Sequence, residues 1–201
     1  MAERFVFAHA SEGAPGSGQD RAGATAGDDN VLVVLSDGAG GTGDGEMAAE
    51  LVVEAVLYGD PSDSGWVDEL AMFDDELAER GAQATSVIVE VSADRIRGAS
   101  VGDSGAWLVR GAEIDDLTAD QRRKPLLGAG AEVVAFERGP LAGGTLIVAS
   151  DGLFRYAKAA DIARAATGPD LDAAARAMIE LVRLPTGELQ DDVSIVLVRE
   201  R

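Results

Sequence analysis

The chain has 201 residues, a length that suits one domain, with 46% hydrophobic and 26% charged residues, enough apolar material for a core. It contains no cysteine and one histidine, His9, which excludes disulfides, thiolate catalysis, cysteine zinc sites and any histidine metal cluster. The formal net charge of −19 repels nucleic acid and anionic membranes and favours cations as partners, either metal ions or basic protein patches.

In chain order, 5–9 reads as a short strand, and 11–29, rich in Gly, Ala, Ser and Asp, reads as a loop. The run Val31-Leu32-Val33-Val34-Leu35 is too short for a buried helix and is flanked by polar turns, so it predicts a fully buried strand. It leads into the glycine-dense Ser36-Asp37-Gly38-Ala39-Gly40-Gly41. Helical spacing follows over 46–57, with Asp44 as N-cap. After a turn at 60–65, helical spacing returns over 66–80 and is ended by Gly81. Strands are expected at 85–91, 95–101, 106–109, 131–136 and 145–149, in a hairpin-like rhythm that suggests antiparallel pairing. Helices at 161–166 and 171–184 and a closing apolar strand at 193–198 complete the chain. Helices segregated around antiparallel strands argue against a doubly wound parallel sheet and for two antiparallel sheets with helices outside. No linker divides the chain and no segment repeats, so residues 1–201 are expected to form one domain.

Asp37, Asp151 and Asp191 stand where apolar strand runs meet loops. Strand ends hold side chains rigidly, as metal coordination requires. Gathered carboxylates repel one another unless a cation sits between them, and hard oxygen ligands select Mg²⁺ or Mn²⁺. A Ser-His-Asp triad would have to use His9, inside the first expected strand, where the simpler reading is an ordinary strand residue.

Five segments in order give the chain a resemblance to the metal-dependent protein phosphatases of type 2C, covering about 5–199. They are Gln19-Asp20; Asp37-Gly38-Ala39-Gly40-Gly41 followed by Gly45-Glu46; Gly102-Asp103-Ser104; Ala149-Ser150-Asp151-Gly152-Leu153; and Asp191-Asp192-Val193-Ser194. The resemblance implies an α+β fold, a four-layer α-β-β-α sandwich of two antiparallel sheets flanked by helix pairs. It implies hydrolysis of phosphoserine and phosphothreonine in proteins by a metal-activated water at a two-ion Mn²⁺ or Mg²⁺ centre. By position Asp37 would bridge both ions, the Gly38 carbonyl would bind one, and Asp151 and Asp191 would complete the other. Asp20 would stand behind them, with Asp103 near a third, weaker ion found in many bacterial members. The implied partners are a phosphorylated protein and a cognate Ser/Thr kinase, with neither nucleic acid nor membrane.

Four departures from the family pattern stand out. Gln19 replaces the usual Glu, and Ala39 stands where many eukaryotic members have His. The stretch Gly13-Ala14-Pro15-Gly16 lacks a phosphate-gripping Arg, which leaves Arg4 or Arg21 as candidate substitutes. The flap region, about 117–132, is short; its Gln121-Arg122-Arg123-Lys124 reads as a solvated turn or, more sharply, as a substrate-docking edge. These departures keep two alternatives open: a catalytically weak regulatory or binding module on the same fold, and a phosphatase for small metabolites. No run of apolar residues is long enough to span a bilayer. The opening Met1-Ala2-Glu3-Arg4-Phe5 lacks the layout of a secretory leader, so a cytoplasmic location is expected.

Overall fold

A computed structural model describes residues 4–40, 44–59 and 65–201. Gly41 of the Asp37 loop and most of the turn expected at 60–65 lie outside the described residues. The elements are β1 (Phe5–Glu12), β2 (Asp20–Ala26), β3 (Asn30–Asp37), α1 (Gly45–Tyr58), α2 (Trp66–Arg80), β4 (Ser86–Ser92), β5 (Ile96–Val101), β6 (Gly105–Arg110), β7 (Glu113–Asp116), β8 (Val134–Arg138), β9 (Thr145–Ala149), α3 (Asp151–Phe154), α4 (Ala159–Ala166), α5 (Leu171–Val182) and β10 (Val193–Glu200).

The strands form two five-stranded sheets, ordered β1-β10-β9-β6-β7 and β2-β3-β4-β5-β8. Every pairing between neighbours is antiparallel. The inner faces meet in a core that includes Val31, Val33, Leu35, Val89, Leu108, Leu146, Val148 and Val196. The outer face of the second sheet is covered by α1 and α2, with Val34 and Ile88 packed among Val52, Leu70, Phe73 and Leu77. The outer face of the first is covered by α4 and α5, with Ile147, Ile195 and Leu197 packed among Ile162, Ala166, Met178 and Ile179. The result is the four-layer α-β-β-α sandwich. Because both faces of each sheet are covered, the central strands β3, β9 and β10 are apolar without alternation.

The helix ends follow local chemistry. Asp44 caps α1, its carboxylate accepting from Met47 N at 3.0 Å, and Gly81 ends α2 in the left-handed conformation, φ 66°.

Four elements depart from the sequence expectation. Residues 20–26, read as loop, form β2; their small side chains have little strand propensity, but pairing with β3 overrides it. Ala22, Ala24 and Ala26 pack on the inter-sheet core. A side chain at Gly23 would come within 2.6 Å of Leu57 on α1, so a bulkier strand would not fit beneath that helix. Strand β7 is an acid-rich edge, and α3 is a single turn too short to show periodicity. Strand β8 begins at Val134 rather than 131, because Ala131 N is tied to the Asp74 carboxylate at 3.2 Å. No helix among the described residues is long and apolar enough to cross a membrane.

Candidate metal centre

The carboxylates converge because the sandwich brings the ends of several strands to one edge. In the β2–β3 pair, Asp20 stands directly opposite Asp37. Strand β9 ends at Ala149 and turns into α3, which starts at Asp151. That elbow is clamped to the start of β10: Ser150 N donates to Ser194 O at 3.1 Å, and Ser194 N donates to Ser150 Oγ at 3.0 Å. A side chain at Gly152 would stand 2.0 Å from Asp192 O, so glycine allows the elbow to lie against the segment carrying Asp191. Asp37, Gly38, Asp103, Asp151 and Asp191 thus line one cleft of about 320 Å³.

Negative charge is concentrated and buried at this edge. Asp20 is 7% exposed, and neither of its carboxylate oxygens has a hydrogen-bond partner among the described residues. An unpaired buried carboxylate costs several kcal/mol. Burial, then the Asp20 charge opposite, pushes the Asp37 carboxyl up to about 9. Burial pushes Asp20 up to about 6, with Asp192 and Asp151 adding to it. Burial and the charges of Asp103 and Asp191 push Asp151 up to about 6. No three acidic or histidine side chains among the described residues close on a single point. An ion here would therefore complete its shell with a backbone carbonyl and waters, as Mg²⁺ and Mn²⁺ sites commonly do. The donor set is all oxygen, and the orphaned Asp20 fits such an ion.

Hydroxyls position the carboxylates from behind. Thr85 Oγ1 lies 2.6 Å from Ser104 Oγ, and Asp37 N donates to Thr85 Oγ1 at 3.1 Å. This links the Asp37 strand end to the loop that carries Asp103.

Gly38 serves a different purpose from the sharp turn its position suggests. Its φ is not in the left-handed region. Instead, an added Cβ would stand 2.1 Å from Gly45 O, because the first turn of α1 rests on the Asp37 loop. Gly38→Ala is therefore expected to destabilise the protein by about 2 kcal/mol or more, since backbone must move to admit the methyl group. At Gly40 an added Cβ meets only Gln19 Oε1, at 3.1 Å, and Gly40→Ala should shift stability far less. Urea unfolding of both variants checks this, and equal midpoints would refute the packing argument.

Other expected residues stand elsewhere. Arg4 is next to Phe5, which pairs with Glu200, while the cleft lies at the other end of β1, where Glu12 pairs with Val193. Arg4 binds Glu200 at 2.7 Å and does not line the cleft, so it is no substitute phosphate ligand. The Arg21 guanidinium donates to Gly18 O and Asp20 O at 2.9 and 2.8 Å and pairs with Glu46; it too is outside the lining. Asp103 carries a guanidinium, that of Arg123, at 2.7 Å, where a third ion was expected.

One residue that sequence reasoning passed over is central. Asp192 is 5% exposed and anchors the loop from β1 to β2. Its carboxylate accepts from Ala14 N, Gly18 N and Gln19 N, each at 2.7 Å, and from Ser17 Oγ at 2.9 Å.

Solved structures of bacterial phosphatases share this architecture. The Mycobacterium tuberculosis serine/threonine phosphatase PstP/Ppp superposes with a TM-score of 0.82 at 23% identity, over 98% of this chain and 99% of that one. The S. agalactiae serine/threonine phosphatase does so with a TM-score of 0.83 at 21% identity, over 98% and 100%. The PstP catalytic domain in complex with two manganese ions gives 0.80 at 24% identity, over 96% and 97%. No family model matches the sequence, and no curated protein sequence matches it either. At these identities the likeness establishes the fold.

Proposed function

We propose that this chain, built on the fold of the type 2C phosphatases, is a Mn²⁺- or Mg²⁺-dependent phosphatase acting on phosphoserine and phosphothreonine of proteins. The observation that carries the reading is the buried Asp20–Asp37 pair, with unpartnered oxygens on Asp20, of which Asp37 lines a cleft together with Asp151 and Asp191. The solved structures of the same fold support it: they are serine/threonine phosphatases, and one holds two manganese ions.

Asp37, the Gly38 carbonyl, Asp151 and Asp191 would hold the ions, with Asp20 behind them. When bound, the ion pair lowers the pKa of water and neutralises phosphate oxygens. The chain's own residues keep the carboxylates aimed through the Thr85–Ser104 hydroxyls and the Ser150–Ser194 clamp. The mechanism needs neither cysteine nor histidine, which accords with the composition. A Ser/Thr kinase acting on the same proteins is the natural opposing partner.

Gln19 lines the cleft with a neutral amide where the family has a carboxylate, and this favours a second reading, a weakly catalytic binding module. Phosphate release from a phosphothreonine peptide separates the two. Metal-stripped protein should regain saturable release as Mn²⁺ is titrated back. No release from well-folded protein at any Mn²⁺ concentration would overturn the enzyme reading in favour of the module.

A further inference from the structure

We infer that Arg123 is the residue that grips the substrate's phosphate, supplied by the shortened segment at 117–132 in place of the arginine missing from Gly13-Ala14-Pro15-Gly16. This rests on the phosphatase reading above. Without a cation other than metal, an acidic cleft in a chain of net charge −19 repels a phosphate ester. Arg123 and Lys124 are the cationic side chains in its lining. Arg123 also lines an adjoining cleft of about 330 Å³, walled by Trp107, Phe154 and Arg155. It therefore stands where a peptide running from one cleft to the other would present its phosphorylated side chain.

The backbone that carries Arg123 is pinned to the site. Gln121 Nε2 donates to Ser104 O at 2.7 Å, and Gly102 N donates to Arg122 O at 3.2 Å, so the residues before Arg123 are tied to either side of Asp103. Gly102 is held at φ 97°, and a side chain there would strike Thr85 at 2.7 Å; this turn admits glycine alone. After Arg123, Leu126 and Leu127 are buried, and Leu127 exchanges backbone hydrogen bonds with Ala84 at 3.1 and 3.3 Å. The Asp74 carboxylate then accepts from Gly128 N at 2.7 Å. A solvated turn would show none of these ties.

The guanidinium is aimed but releasable. It donates to Asp103 Oδ2 through Nε at 3.2 Å and Nη2 at 2.7 Å, with side-chain exposures of 71% for Arg123 and 27% for Asp103. An exposed ion pair of this kind contributes little net stability. A phosphate dianion offers the same planar fork more charge and a bidentate fit, so it can take over part of the donor set while Asp103 keeps the side chain in place. The other arginines around the site are committed to carbonyls and carboxylates, Arg21 to Gly18, Asp20 and Glu46, and Arg155 near Asp151 at 3.8 Å.

The test is calorimetric binding of inorganic phosphate to the Mn²⁺-loaded protein, with kcat and KM on a phosphothreonine peptide measured alongside. Arg123→Ala should weaken phosphate binding and raise KM by about tenfold or more, with a smaller effect on kcat, and Arg123→Lys should recover part of the loss. Arg122→Ala is the control: its guanidinium faces Glu132 at 3.0 Å, outside the lining, so both parameters should stay near wild type. An active wild type whose Arg123→Ala variant binds phosphate and peptide equally well would overturn the inference and leave the phosphatase reading standing. A wild type without turnover would overturn the phosphatase reading, and the phosphate titration would still decide Arg123. Wild-type protein that binds no phosphate would overturn the inference as well.

Discussion

Asp37→Asn is expected to reduce Mn²⁺-dependent phosphate release by about 10³-fold or more, and at the same time to make the metal-free protein more stable at alkaline pH. The two effects have one origin. Asp37 is buried opposite Asp20, and its carboxyl is pushed up to about 9 by burial and by that neighbouring charge. A group whose folded pKa is raised holds its proton more tightly in the native state. Its contribution to stability is therefore complete below the unfolded value, near 4, and is lost as pH rises toward 9. Asp151 adds to the same slope between its unfolded value and about 6. The wild type without metal should thus lose stability steadily from acid to alkaline pH, and a bound divalent ion should remove most of that loss. The asparagine carries no charge to repel Asp20, so the slope should flatten, with a gain at pH 8 of about 2 kcal/mol over metal-free wild type. Near pH 4 the two proteins should be alike. Mn²⁺ should then raise the melting temperature of the variant far less than that of wild type. Two results would sink the argument: turnover within tenfold of wild type, or a pH slope unchanged by the substitution.

How much of this was legible in the sequence depended on the range of the forces involved. The runs 31–35, 145–149 and 193–198 could be read as buried strands because both faces of each sheet are covered, and full burial leaves a contiguous apolar signature. The helix at 66–80 was legible from its periodicity and from Gly81. The order of the acidic motifs pointed to the edge where Asp37, Asp151 and Asp191 meet. Strand β2 was not legible, since Ala22, Gly23 and Ala24 are small for a reason on another element, the close approach of Leu57. The role of Gly38 was likewise set by α1 rather than by its own φ. Arg4 and Arg21 were plausible phosphate ligands by charge alone, but the strand register commits both to other partners. Asp191 and Asp192 are chemically identical neighbours. What separates them is a loop more than 170 residues earlier in the chain, whose donors all point at Asp192.

That loop supplies the largest expected loss of stability. Asp192→Ala should destabilise the protein by about 3–5 kcal/mol, because it leaves the amides of Ala14, Gly18 and Gln19 without their shared acceptor. Burial alone would push the Asp192 carboxyl up, but the amides of Gln19, Ala14 and Gly18 and the Ser17 hydroxyl outweigh it and hold the group below the usual carboxylate range. The sign is the opposite of that at Asp37: a lowered folded pKa contributes stability above the unfolded value, and that stability is lost only as the solution becomes more acidic than pH 4 or so. Asp192→Asn keeps one acceptor oxygen but turns an NH₂ group toward the remaining donors, so its loss should fall between wild type and alanine. The damage should reach the cleft. Gln19 is followed directly by Asp20 in β2, and its carbonyl accepts from Gly38 N at 3.4 Å, so a loosened loop displaces a carboxylate and the glycine beside Asp37 together. Mn²⁺ affinity should therefore fall with stability in Asp192→Ala, although Asp192 is placed as a loop anchor and not as a metal ligand. Urea unfolding and Mn²⁺ titration of the two variants measure both. A loss below about 1 kcal/mol for alanine would mean that water replaces the carboxylate at little cost, and that the loop is held by its own turns.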